Sequence, residues 1–267
     1  MKKIALLTSP SFASAEAIWR IVDAHANHIA VIGLSDPLRD PLGAGGRRTR
    51  KILLKSHFLL APYLLINFVL PRIGALARRI LKSRRSLRAL CCAKGLPLLG
   101  IDNVNAPDLI ARLQSFGVDA VLLCHFDQIV DEHFLAAFPE GVVNVHPSLL
   151  PLYRGACPTL HALTADQPRF GVTLHEVVPE IDCGPILAQE ALDLPNDTSA
   201  AEAARRLHLA AVPLVASWMN DECGRARSQD GAIYCYWPDA GMIKAMHAKG
   251  RRAVCCADIL AAMRAPL

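Results

Sequence analysis

Between residues 41 and 101 the chain has no aspartate or glutamate, although its 267 residues carry 24 of them in all. Thirteen of the 29 basic residues fall in that acid-free stretch: Arg47, Arg48, Arg50, Lys51, Lys55, Arg72, Arg78, Arg79, Lys82, Arg84, Arg85, Arg88 and Lys94. The formal net charge of +5 is therefore concentrated there, and the remainder of the chain is acidic on balance. Cys-x-x-Cys spacing is also absent and the nine cysteines are odd in number, which argues against both a disulfide framework and a zinc site. No apolar run reaches the roughly 20 residues of a spanning helix, and the longest, 58–70, contains Pro62 and is followed by Pro71. Lys2 and Lys3 precede an apolar stretch too brief for a secretory signal and better suited to a first buried strand. These absences predict a cytoplasmic protein with reduced thiols and no metal.

The apolar residues that are present follow a strand-and-helix alternation. Residues 3–8, 28–34, 96–101, 118–124 and 141–146 read as strands, while 13–26 and 105–116 have helical composition. Such alternation predicts an α/β fold, a doubly wound, mostly parallel Rossmann-like sheet whose ligands bind beyond the carboxyl ends of the strands. The first turn, Thr8-Ser9-Pro10-Ser11-Phe12-Ala13, lacks the Gly-x-Gly of a dinucleotide site. Asp197-Thr198-Ser199 with Glu202 predicts a capped helix over 198–220.

Candidate chemistry lies in Asn144-Val145-His146-Pro147-Ser148-Leu149-Leu150-Pro151, followed by Tyr153-Arg154-Gly155 and later by Asp182-Cys183-Gly184-Pro185. In an extended segment Asn144 and His146 project to the same side, pairing an amide N–H with a proton carrier. An amine attacking a carbonyl carbon needs both: charge gathers on oxygen while a proton leaves nitrogen. Asp182 would orient the imidazole and favour its charged form. Each residue alone is more often a surface, packing or turn position. Their joint order is more specific.

Asn-x-His-Pro-Ser-Leu-Leu-Pro-x-Tyr-Arg-Gly, then Gly171-Val172-Thr173-Leu174-His175, then Asp-x-Gly-Pro-Ile, resembles the folate-dependent formyltransferases. That family includes methionyl-tRNA, glycinamide ribonucleotide and sugar-nucleotide N-formyltransferases. The resemblance spans about residues 1–215 and is strongest over 122–189. It implies Asn144, His146 and Asp182 as the catalytic trio and 10-formyltetrahydrofolate as formyl donor. It further implies a pteridine pocket walled by Phe126, Gln128, Ile129 and Val130, with Val178 and Glu180 from a second loop. His125 and Asp127 depart from the small and apolar residues often found there. His175 reads as a packed residue, or one that supports the site from behind, rather than the proton carrier, and Arg154 as a tether for the loop after Pro151 rather than a phosphate or carboxylate clamp.

The resemblance implies a catalytic domain over 1–220, carrying a helical insertion at 47–94, and a small C-terminal extension at 221–267. That extension is too short for the barrel-like domain of methionyl-tRNA formyltransferase, and the chain opens without the regulatory module of a formyltetrahydrofolate deformylase. The expected acceptor is a small-molecule amine, first a nucleotide-linked amino sugar, next an amino-acid-derived amine or hydroxylamine; hydrolysis of the donor is the competing reaction. Three readings of the basic, apolar insertion stay open: a buried helical hairpin, an interfacial segment on anionic lipid, or an acceptor-binding or homodimer surface. Nucleic acid is disfavoured, because no aromatic interleaving or base-reading module accompanies the cations.

Overall fold

All five residues of Ile4–Thr8, the first strand, are buried, and their side chains alternate between two apolar clusters. Ile4 and Leu6 join one cluster, Ala5 and Leu7 the other. A strand covered on both faces needs an unbroken apolar run, which explains why 3–8 shows no polar alternation.

The computed structural model describes residues 2–36, 44–80, 85–231 and 234–267. Lys82 and Arg84 of the basic run, and the Arg48 side chain, lie outside what it describes. The strands are β1 (Ile4–Thr8), β2 (Ile29–Ser35), β3 (Leu98–Ile101), β4 (Ala120–Cys124), β5 (Val142–His146), β6 (Arg154–Gly155), β7 (Phe170–Glu176), β8 (Ile186–Leu192) and β9 (Tyr234–Cys235). The α-helices are α1 (Phe12–His25), α2 (Ala44–Lys55), α3 (Ala61–Leu64), α4 (Leu70–Ile80), α5 (Leu87–Lys94), α6 (Pro107–Ser115), α7 (Glu132–Ala136), α8 (Pro158–Ala162), α9 (Ala200–Met219), α10 (Ala240–Ala248) and α11 (Cys256–Arg264). A π-helical turn, Leu65–Val69, joins α3 to α4.

Seven strands form one sheet in the order β3-β2-β1-β4-β5-β7-β8. Pairing is parallel from β3 through β5, whereas β7 runs antiparallel to β5 and β8 to β7. The order reverses beside β1, whose neighbours are β2 and β4, so the carboxyl ends of β1 and β4 border the crevice characteristic of such sheets. The doubly wound, mostly parallel sheet predicted from the alternation of elements is the one found. Local signals set the helix starts: Ser11 Oγ accepts from the Ser14 N–H, and Ser199 Oγ from the Glu202 N–H.

The insertion differs from expectation at Pro71. This proline was expected to break or bound the apolar run, yet helix continues from Ala61 to Ile80. Proline lacks the N–H a regular turn would use, and the π-turn just before it already departs from regular pairing, with the Leu70 N–H reaching Leu65 O. The buried-hairpin reading holds for one face only: Leu60, Tyr63 and Ile66 enter the main core, while Leu65, Ile73 and Leu76 are exposed.

Residues beyond 220 pack into the same core rather than beside it. Ile243, Met246, Ala253, Ala262 and Ala265 share the apolar cluster of Ile4 and Leu6. The Ala200 and Ala201 N–H groups at the start of α9 donate to Arg252 O and Ala253 O, so the tail supplies acceptors that a helix start lacks on its own.

Candidate active site

At the carboxyl end of β5, Val143 and Val145 enter the main core, so alternation turns Asn144 and His146 to the opposite face. The antiparallel neighbour β7 places His175 opposite Asn144 and Thr173 opposite His146. After β7 the chain turns back on itself: a Cβ on Gly184 would lie 1.9 Å from the Glu176 carbonyl oxygen, so only glycine closes this turn. Asp182, with a φ of 52°, is thereby carried over the end of β5. Its Oδ2 lies 3.5 Å from His146 Nδ1, and its Oδ1 lies 3.5 Å from both His175 Nε2 and Asn144 Nδ2.

The loop after β5 closes the site from the other side. Gly155 N–H donates to Asp182 Oδ2 at 2.8 Å, and His146 Nε2–H donates to the Tyr153 carbonyl at 3.0 Å. Thr173 Oγ1 donates to Ser148 O at 2.6 Å and accepts from the Leu150 N–H at 3.1 Å, while Gln189 Nε2 donates to Leu150 O at 2.8 Å. Arg154 donates to Ile181 O at 3.2 Å and so joins the two loops, as a tether would. From the C-terminal region β9 pairs in parallel with β6, and the Ala156 N–H donates to Cys235 O at 3.0 Å.

These bonds fix tautomers. His175 Nδ1–H donates to Glu176 O at 2.7 Å, which leaves Nε2 to accept from Asn144 Nδ2 at 3.2 Å. The second Asn144 amide hydrogen faces Asp182 at the longer distance. On His146 the donation from Nε2 leaves Nδ1 as the basic nitrogen, facing the carboxylate. Burial lowers the His146 pKa, the Asp182 charge opposes that fall and His175 adds to it. Burial by itself would raise the Asp182 carboxyl; the facing His146 and the hydrogen bond from the Gly155 N–H outweigh it and hold the group below the usual carboxylate range. Burial thus favours the uncharged imidazole and its surroundings favour the ionised carboxylate, in a pocket where His146 is only 5% exposed.

The remaining expected residues lie on two loops. Val130 is buried, Phe126 and Val178 are half-buried, and Ile129 is 60% exposed. Glu180 is exposed at the rim. Gln128 has its side chain engaged within the protein: Oε1 accepts from the Val104 N–H at 2.8 Å and Nε2 donates to Ser35 Oγ at 2.9 Å. His125 and Asp127, the two departures, tie β4 to the first turn: Ser9 Oγ donates to Asp127 and the Ser9 N–H to His125 O. A separate cleft lined by Leu149, Arg169, Phe170, Asp193 and Arg251 includes none of the trio.

His175, read from the sequence as a packed or supporting residue, is buried. It stands beside Asn144 and Asp182, and the signal that finds it is its cross-strand register with Asn144. The Tyr153 carbonyl and the Gly155 N–H, being backbone groups, left no signal beyond the glycine itself.

Residues 89–217 match the family model described as formyl transferase. Methionyl-tRNA formyltransferase from Chloroflexus aggregans is 37% identical over 109 residues, 41% of this chain and 35% of that protein. Its counterpart from Thermotoga neapolitana is 36% identical over 101 residues, 38% of this chain and 32% of that protein. The matched segment thus spans about a third of the length of these curated relatives. Among solved structures, phosphoribosylglycinamide formyltransferase from Anaplasma phagocytophilum superposes with a TM-score of 0.57 at 18% identity, covering 88% of this chain and 99% of that one. A sugar N-formyltransferase from Shewanella gives 0.55 at 16% identity, covering 87% and 76%. The sheet and its flanking helices are those of the formyltransferase fold.

Proposed function

We propose, on the premise that residues 89–217 form a formyl transferase domain, that this chain moves a formyl group from 10-formyltetrahydrofolate to the amine of a small-molecule acceptor. The observation that carries this reading is the convergence of Asn144 and His146, from one strand end, on Asp182 of a distant turn, which lies 3.5 Å from each.

Bound in the crevice, the donor would supply a formyl carbon open to attack by an amine. Phe126, Ile129, Val130 and Val178 would hold its flat ring by apolar contact, with Glu180 at the rim; Gln128 would act by shaping the wall. The neutral His146 is suited to take the proton that the attacking amine must lose, on Nδ1. Asp182 then faces an imidazolium and stabilises it as an ion pair, until the bond from the formyl carbon to the folate nitrogen breaks and the proton passes from His146 to that departing nitrogen. Asn144 holds its shorter bond to His175 through one amide hydrogen, and the other, which faces Asp182 at 3.5 Å, is the one the developing oxyanion would accept from. The Tyr153–Gly155 backbone fixes both partners and keeps water from His146.

For the acceptor, a nucleotide-linked amino sugar is the first reading. The Ser9-Pro10-Ser11-Phe12-Ala13 turn, which resembles the methionyl-tRNA and sugar-nucleotide branches more than the glycine-rich loop of the glycinamide ribonucleotide branch, supports it, as does the fold's likeness to a sugar 3N-formyl transferase crystallised with dTDP and 5-N-formyl-THF (TM-score 0.52, 16% identity). An amino-acid-derived amine or hydroxylamine is the next class.

The test incubates the full chain with 10-formyltetrahydrofolate and a panel of such amines, following tetrahydrofolate release. Amine-dependent turnover is expected, falling about 10²- to 10³-fold in Asn144→Ala. Formate release without any amine would identify a hydrolase instead, and near-normal turnover in Asn144→Ala would remove the assignment of the trio.

A further inference from the structure

A surface helix ordinarily shows water a polar face. The helical run 61–80 does the opposite. Its inner side is fully used: a Cβ on Gly74 would lie 2.0 Å from Met263 O of α11, Arg78 donates to Met263 O at 2.5 Å, and Tyr63, Ile66 and Pro71 are buried. Its outer side carries Leu65, Val69, Ile73, Leu76 and Ile80, exposed by 45, 36, 48, 59 and 73%. Steps of four, four, three and four residues align these five in one stripe along the helix. Leu54 and Phe58, at and just beyond the end of α2, are exposed by 53 and 59%. Nothing in the fold of the described residues calls for large apolar side chains there, since the buried side already supplies the packing.

Exposed cations lie in the same stretch of sequence. Lys51 and Lys55 flank Leu54, Arg79 adjoins Ile80, and all three cations are exposed, as is Arg88 on α5. No carboxylate interrupts residues 41–101.

We propose that this face is a docking surface for an anionic bilayer, with the five apolar side chains entering the headgroup boundary and the flanking lysines and arginines meeting the lipid charge. Charge decides between occupants. A second copy packed on the same patch would bring cations against cations, which self-complementary interfaces avoid. An anionic lipid surface offers both the apolar and the negative component. Among the described residues no helix is long and apolar enough to cross a membrane, so contact would be from one side. The inference does not rest on the formyl-transfer reading, and its test is independent of catalysis.

The test is co-sedimentation of the full chain with vesicles of phosphatidylcholine alone or doped with phosphatidylglycerol. Binding to the doped vesicles is expected at low salt, weakening as salt is raised. The double variant Ile73→Ser with Leu76→Ser should bind roughly 10-fold more weakly or worse, at an unchanged thermal midpoint, because both side chains face solvent. Absence of binding to the doped vesicles at low salt would overturn the proposal. So would undiminished binding by the double variant, or a solution dimer of the wild type that the same substitutions dissociate.

Discussion

The Gly155 backbone N–H donates to Asp182 Oδ2 at 2.8 Å, across a separation of 27 residues. Through this bond the loop that covers His146 and the turn that carries its carboxylate are one unit. The unit is itself clamped by β9, since Gly155 pairs with Cys235.

Gly155 has a φ of +98°, and a Cβ there would lie 2.4 Å from Cys235 O. Gly155→Ala should therefore destabilise the protein by about 1–3 kcal/mol, through backbone strain and displacement of β9. Calorimetry checks the stability. Turnover should fall as well, because the shifted N–H no longer fixes Asp182.

Asp182→Asn tests the electrostatics of the pair. The carboxylate opposes the burial that lowers the His146 pKa, so its removal should lower that pKa further. The acid limb of the pH profile for kcat/KM should move to lower pH, while kcat falls about 10²- to 10⁴-fold for want of a stabilised imidazolium. An unmoved limb would show that Asp182 acts on something other than His146.

His208 is fully buried, and burial, with the His125 and His146 charges adding to it, pushes its pKa down from 6.5 to about 3. Unfolded chain takes up a proton below 6.5 that folded His208 refuses until about 3, so stability should fall as pH drops through that window. One such site contributes a slope of about 1.4 kcal/mol per pH unit. His208→Leu should flatten the slope by about one proton, measured as ΔG of unfolding between pH 6 and roughly 4. The burial of His125 and His146 acts in the same direction and keeps part of the slope.

Much of the fold was legible because its signals are local. Apolar runs bounded by turns marked β1, β2, β4 and β5 to within a residue or two, and Ser199 with Glu202 announced α9. The insertion was less legible. Pro71 read as a breaker because the rule assumes regular pairing, which the π-turn at Leu65–Val69 evades. The exposed stripe could not be told from a buried one, since periodicity shows which residues share a face and not what covers it.

The candidate site divides in the same way. Its residue types and their order were set by the sequence alone: Asn144 and His146 two apart on a strand, Asp182 before a glycine turn, and the acid-free stretch that concentrates positive charge. Tertiary structure alone decided which groups meet. His175 enters the site because β7 runs antiparallel to β5 in a register that sets it opposite Asn144. Residues 234–235 support the loop over His146 because β9 lies against β6. Both relationships depend on long-range pairing of backbone N–H and C=O groups, which every residue but proline carries alike, so side-chain identity could not reveal them.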